Sequence, residues 1–330
     1  MLFSLLNVPP ASASTAAGSG SAGAPGAGAG LAAAGAPAAA RVPKRRPRAL
    51  REAAARALFA AAAALSIAAV ALICLFLLAN GVPAMAEIGL PEFLFGTTWR
   101  PANDLYGIFP MIVGSLYVTA GAMIVGVPGG LLTALYLSRF ARGRTGSFLR
   151  SGVELLAGIP SVVYGFFGLV IIMPFVRLLG PGTGLSVLTA SLILGIMILP
   201  TVITVAQSAL DAVPARYYEG ALALGVDHEH AVFKVVAPAA ASGIMAAIVL
   251  GLGRAIGETM AVVMVAGNMP IIPDSLLSGV RTMTANIVLE MGYAADLHRE
   301  ALIATGVVLF VFILLITMLL NVIRKRGEAR

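Results

Sequence analysis

Apolar side chains occur in this sequence as long uninterrupted blocks, unlike the 3.6-residue stripe of a water-exposed helix or the alternation of a half-buried strand. Residues 58–79, 108–137, 155–176, 185–210 and 301–323 contain no Asp, Glu, Lys or Arg. A further block, 235–273, is interrupted only by Arg254 and Glu258. A hydrocarbon core of about 30 Å requires about 20 helical residues, so each block is long enough to cross a bilayer. The blocks predict six transmembrane helices at about 58–79, 110–137, 155–176, 185–208, 238–266 and 301–323. The predicted fold class is therefore all-α and polytopic. Composition agrees: 59% of residues are hydrophobic, 11% are charged and mean hydropathy is +0.96. A water-soluble globular domain, with roughly 25% charged residues, is excluded.

Residues 11–40 are almost entirely Ala, Gly, Ser and Pro, with too little apolar side-chain area to offset the entropy of ordering the backbone. They predict a disordered tail. The first ten residues carry no basic cluster, so a cleaved signal peptide is not expected. The domain division is then a tail over 1–57, ending in a basic segment, and a transmembrane domain over 58–330.

Basic residues fix the predicted orientation, because Lys and Arg accumulate on the cytoplasmic side. Seven lie between Arg41 and Arg56, four between Arg139 and Arg150, two between Arg216 and Lys234, and four between Arg324 and Arg330. The opposite loops hold only Arg100, Arg177, Arg281 and Arg299. Six spans with both termini in the cytoplasm satisfy every loop. The net charge of +7 is thus a topology signal, not a nucleic-acid footprint. Clusters such as Lys44-Arg45-Arg46 would also suit anionic lipid.

Arg254 is the one basic residue within a span. An ionisable group near the bilayer centre costs roughly 2.5–3.5 kcal/mol on insertion scales, which marks Arg254 and Glu258 as functional candidates. Four residues apart on a helix, they are expected one turn from each other on one face, where opposite charges pair. The planar, permanently charged guanidinium would serve a path for an oxyanion such as phosphate, with Glu258 orienting or balancing it. The competing reading is a structural ion pair between helices. Gly253 and Gly257 suit close helix approach by small-xxx-small packing. In the third span Gly158, Pro160, Ser161, Tyr164, Gly165 and Gly168 predict a kink. Ser161 and Tyr164 are weaker path candidates beside ordinary helix packing.

Other chemistry is thin. The three lysines, Lys44, Lys234 and Lys325, are not followed by Ser or Thr, so the phosphate-cradling P-loop is absent. Any ATP hydrolysis must come from another chain. Cys74 is the single cysteine. His228 and His230 are two residues apart and diverge on a helix, whereas a zinc site of the zincin type needs them four apart; a solvated loop is expected instead. His298 lies in an outer loop with no readable partner. No span carries a nucleophile with a base or paired metal ligands, which argues against a membrane-embedded enzyme and against a bound cofactor.

The long inner loop at about 211–238 alternates helix and turn signals. Pro214 suits a first helical turn, Gly225 a C-terminal stop, and Asp227 the cap of a second short helix. The first of these helices would show Tyr217, Tyr218, Ala221 and Leu222 to a partner, or rest on lipid as an interfacial amphipathic helix.

Glu219-Gly220-Ala221, then Gly225, then Val235-Val236-Ala237-Pro238 resembles the EAA loop of ABC importer permeases, with Gly220 in place of Ala and Ala237 in place of Leu. The blocks ELLAGIPSVVYGFFG (154–168), LGIMILPT (194–201), GLGRAIGETMAVVMVAGN (251–268) and VRTMTANIVLEMG (280–292) resemble the PstC family of phosphate permease subunits, in order and in spacing, from about 93 to 323. The resemblance implies a type I ABC importer permease fold in a bacterial cytoplasmic membrane. It implies pairing with a second, PstA-like permease and two PstB-like ATPases, and delivery of inorganic phosphate by a PstS-like binding protein. It assigns ATPase coupling to Glu219, Gly220, Ala221, Gly225 and Pro238, and places the family's intramembrane Arg and Glu on Arg254 and Glu258. The segment 227–230 departs from many relatives. A molybdate or sulfate permease shares the EAA loop and is the alternative; a secondary transporter would not need that loop.

Overall fold

The structure, a computed structural model, describes residues 46–141, 143–180 and 182–328. The tract 11–40 read above as a disordered tail lies outside the described residues. By its internal contacts the chain divides between Ala60 and Ala61. Helix α1 (Arg46–Ile88) begins 12 residues ahead of the first apolar block, so the basic segment assigned to the tail is helical from Arg46. Its sequence explains this: Pro47 is tolerated in a first turn, and Arg, Glu, Ala and Leu between Arg51 and Leu58 are strong helix formers.

In the larger unit α1 is followed by α2 (Leu90–Phe95) and a small antiparallel hairpin, β1 (Trp99–Arg100) against β2 (Leu105–Tyr106), with Trp99 opposite Tyr106. Next come α3 (Phe109–Leu135), extended by a π turn at Tyr136–Phe140, and α4 (Gly143–Gly158). α5 (Ser161–Phe167), a π turn at Gly168–Ile172 and α6 (Met173–Arg177) then run together. α7 (Val187–Asp211) leads to α8 (Ala215–Ala223), α9 (His228–Ala231), a π turn at Val232–Val236 and α10 (Ala237–Ala239). The chain closes with α11 (Ala241–Gly257), α12 (Met260–Val265), α13 (Met283–Glu290) and α14 (Asp296–Glu328).

Among the described residues, four segments are unbroken helices long and apolar enough to cross a membrane: α1, α3 with its π turn, α7 and α14. Two further spans are bent. α4 meets the α5–α6 segment at 98°, and the α9–α10 limb meets α11 at 71°. The third span is thus not a single kinked helix over 155–176. The backbone turns sharply at Ile159–Pro160, where proline lacks the N–H that would continue the helix.

α7 is the central element, with 67% of its apolar window buried against none of α1's. It is apolar all round, as a helix enclosed by others must be, and the Ser186 hydroxyl accepts from Thr189 N at its start. α3 and α11 pack along it. Three apolar clusters follow the bundle axis. One surrounds Ile193, Leu194 and Val262; one gathers Phe93, Trp99, Met111 and Leu302; one joins Leu210, Val213 and Val236. The second lies at the end opposite the basic loops, termed the outer end below.

Candidate substrate path and coupling surface

Arg254 occupies the last turn of α11, and the helix stops at Gly257. Glu258 is extended, at φ −70° and ψ 133°, so the four-residue spacing does not place its side chain one turn above Arg254. Its Oε1 instead accepts from Ala261 N at 3.3 Å, capping the short α12. The expected Arg254–Glu258 ion pair is absent, and no ion pair among the described residues includes either one. The physical reason is local. Glu258 satisfies an orphan amide at a helix start, and that geometry requires the backbone to leave the α11 helix.

Arg254 is exposed, and its Nη1 donates to Thr201 Oγ1 of α7 at 3.5 Å, the limit of a hydrogen bond. Ala255, the residue after Arg254, shares one apolar cluster with Tyr164. Tyr164 is buried and donates to Leu156 O at 2.8 Å, a bond that bridges the Pro160 break. Ser161 stands half-buried at the first turn of α5. The structure therefore brings Arg254 and Tyr164 into one neighbourhood, and turns Glu258 to a different task.

Glycine packing also differs from expectation. A Cβ on Gly253 or Gly257 would meet nothing within 4 Å, so these two do not form a close helix contact; they leave the Arg254 face open. The tight approach falls at Gly165, where a Cβ would lie 2.8 Å from Met264 Sδ, and at Gly168, 2.7 Å from Ile193 Cγ1. Only hydrogen at these Cα atoms lets α5 and its π turn lie against α12 and α7. The outer halves of the two interrupted spans thus pack on each other.

At the basic end, α8 and α9 are the helices that Pro214, Gly225 and Asp227 predict. Gly225 has φ +85°, the left-handed conformation that ends helices at low strain in glycine. Asp227 accepts from His230 N at 3.0 Å and contacts His230 Nδ1 at 2.7 Å. The backbone bond, with help from the imidazole, holds its carboxyl below the ordinary 3.8. Glu219, Gly220, Gly225 and Pro238 are exposed, whereas Ala221 is buried. Tyr218 also turns inward, its hydroxyl 2.7 Å from His228 Nδ1, and the His228 ring meets Phe140 edge-on at 4.6 Å. The 227–230 segment is accordingly a helix start and not a loop: His228 ties it to α8 and to the end of α3, while Asp227, Glu229 and His230 stay exposed to solvent. The outward face of α8 is Tyr217, Glu219, Gly220 and Leu222.

A cluster at the outer end was not foreseen. Glu290 Oε1 accepts from Arg281 Nη1 at 2.6 Å, and its Oε2 contacts Trp99 Nε1 and His298 Nε2, each at 2.9 Å. The side chains of Arg281 and Glu290 are only 15% and 9% exposed. Arg281 also donates to Asn286 Oδ1 and Asn268 O. His298, read as partnerless, is one of three groups converging on the Glu290 carboxylate, with Arg281 and Trp99. The sequence offered no signal, because Trp99 lies 191 residues from Glu290.

Residues 126–328 match the model of the family described as binding-protein-dependent transport system inner membrane component. The chain belongs to this family. As a family member it is a multi-pass membrane protein and a transport subunit. Among similar permeases, the probable ABC transporter permease protein YqgH of Bacillus subtilis is 35% identical over 294 residues, covering 87% of this chain and 95% of that protein. The phosphate transport system permease protein PstC of Mesorhizobium japonicum is 33% identical, covering 78% of this chain and 85% of that one. The PstC of Pasteurella multocida is 34% identical over 71% and 78%. A chain of the solved inward-facing MetNI methionine ABC transporter superposes with a TM-score of 0.54 at 19% identity, over 70% of this chain and 99% of that one. The permease fold is thus the type I ABC importer fold.

Proposed function

We propose that this chain is the permease subunit of an ATP-driven importer of inorganic phosphate in a bacterial cytoplasmic membrane, with both termini on the cytoplasmic side. The observation that carries the reading is Arg254: a guanidinium in the middle of a span, exposed, with no carboxylate bound to it among the described residues. Such a group is stable there when a mobile anion or a partner chain completes its shell. The names of the relatives supply the anion.

A PstS-like binding protein releases phosphate at the outer end. The anion passes between this chain and a PstA-like second permease along the open face that bears Arg254, with Thr201, Tyr164 and Ser161 beside it. Glu258 serves this path by holding the α11–α12 break that aims Arg254. Two PstB-like ATPases supply the energy, and one of them receives α8. Glu219, Gly220, Gly225 and, beyond α9, Pro238 face that ATPase, while buried Ala221 sets α8 on the bundle.

The test is labelled-phosphate uptake in cells lacking this chain, complemented with wild type or Arg254→Gln at equal membrane abundance, with the partner subunits present. Rescue by wild type alone supports the reading. Rescue by neither directs the substrate to molybdate or sulfate, and rescue by both removes Arg254 from the path.

A further inference from the structure

We infer that Thr284 is a positioning residue that ties the outer segment of the chain to the break in the fifth span, so that the outer end and Arg254 move as one unit. The inference rests on the transport reading above. At the break, the Glu258 carbonyl is released from the helical ladder, because α11 ends at Gly257 and α12 begins only at Met260. A half-buried carbonyl in an apolar setting needs a donor. That donor comes from another element, the Thr284 hydroxyl of α13, at 3.1 Å.

Thr284 is itself fixed. It is 8% exposed, and its hydroxyl lies 3.1 Å from that of Thr282, which caps α13 by accepting from Ala285 N. Met283 N donates to Ser115 Oγ of α3 at 2.9 Å. The far end of α13 is Glu290, clamped by Arg281, Trp99 and His298. One short helix therefore links the β1–β2 hairpin, α3 and the start of α14 to a single carbonyl four residues beyond Arg254. A displacement of the outer end reaches the break through Thr284, and coupling of this kind is reciprocal.

The test uses the complete transporter in proteoliposomes with its purified binding protein, comparing wild type, Thr284→Val and Thr284→Ser. Valine keeps the shape and removes the donor. Binding-protein-stimulated ATP hydrolysis and phosphate uptake should fall about two- to tenfold in Thr284→Val, as the loss of one hydrogen bond implies. Basal hydrolysis should not move, the melting temperature should fall by only a few degrees as one part-buried hydrogen bond is lost, and Thr284→Ser should restore both it and the stimulated rate. Amide exchange in the same complexes should accelerate across α12 in Thr284→Val while the body of α11 stays protected. Equal stimulated rates in wild type and Thr284→Val, or equal impairment of the Val and Ser variants, would overturn the inference. If wild type imports no phosphate, the proposed substrate fails, and the exchange pattern across α12 still decides the role of Thr284: acceleration in Val alone supports it, no change overturns it.

Discussion

Arg254 and Arg281 carry the same charge on the same apolar chain, and the structure surrounds them in opposite ways. Arg281 is enclosed, with a 2.6 Å bond to a carboxylate that is itself held by Trp99 and His298. Arg254 is exposed and reaches only a threonine hydroxyl at 3.5 Å. A buried charge persists when its partners satisfy it completely, and removing one partner is far worse than never having had the pair. In the reading proposed above, a charge left open inside a span has its partner outside this chain, and the difference separates a residue that fixes the fold from one that serves the path.

The largest effect should come from breaking the closed site. Glu290→Ala strands the Arg281 guanidinium, at a cost of about 3–5 kcal/mol. Membrane abundance and melting temperature should both drop, and a variant as stable as wild type would show the hub to be dispensable. Arg254→Gln should do the reverse, leaving abundance and melting unchanged while lowering uptake on the order of 10- to 100-fold, the worth of a charged hydrogen bond. Loss of folded protein in that variant would erase the contrast between the two arginines.

Glu258 lies between the extremes. As a cap of α12 its removal in Glu258→Ala should cost about 1 kcal/mol, whereas Glu258→Gln retains an acceptor for Ala261 N and should be milder in melting measurements. Equal loss in both would point to the charge, and so back to Arg254. The smallest effect belongs to the exposed pair Asp227–His230. The folded-state carboxyl titrates below its ordinary value, so its contribution is present above that value and is lost as pH falls through the lower, folded-state one. Protection of the His230 amide should hold between about pH 5 and 8 and disappear only in acid; loss at higher pH would show that the Asp227 carboxylate is not the cap.

Much of this architecture is legible in sequence because it follows from one-dimensional quantities. Each apolar block reports its own transfer free energy; four fall on unbroken helices and two on helices interrupted by a bend. Arg254 is found by the same arithmetic, since its cost is independent of its neighbours. Pro160 announces the break in the third span, and Pro214, Gly225 and Asp227 announce the short helices of the inner loop. The break at Glu258 is hidden, because Gly257-Glu258-Thr259 carries no proline, and the choice between pairing with Arg254 and capping α12 depends on Thr284 and on how α5 packs. The Glu290 hub is hidden more deeply. Arg281 and His298 read as loop polarity until Trp99 is brought beside them by four intervening spans.

That hub also bears on the order in which the protein is made. Trp99 and Glu290 are separated by 191 residues, so at about 5–20 residues per second roughly 10–40 s pass between their synthesis. His298 follows at the head of α14. The carboxylate therefore acquires its full set of partners only when the last span is arriving, and an unfinished chain presents Arg281 and Glu290 without their clamp. Closure of the outer end is therefore a late event in biosynthesis, set by the distance along the chain between Trp99 and its carboxylate partner.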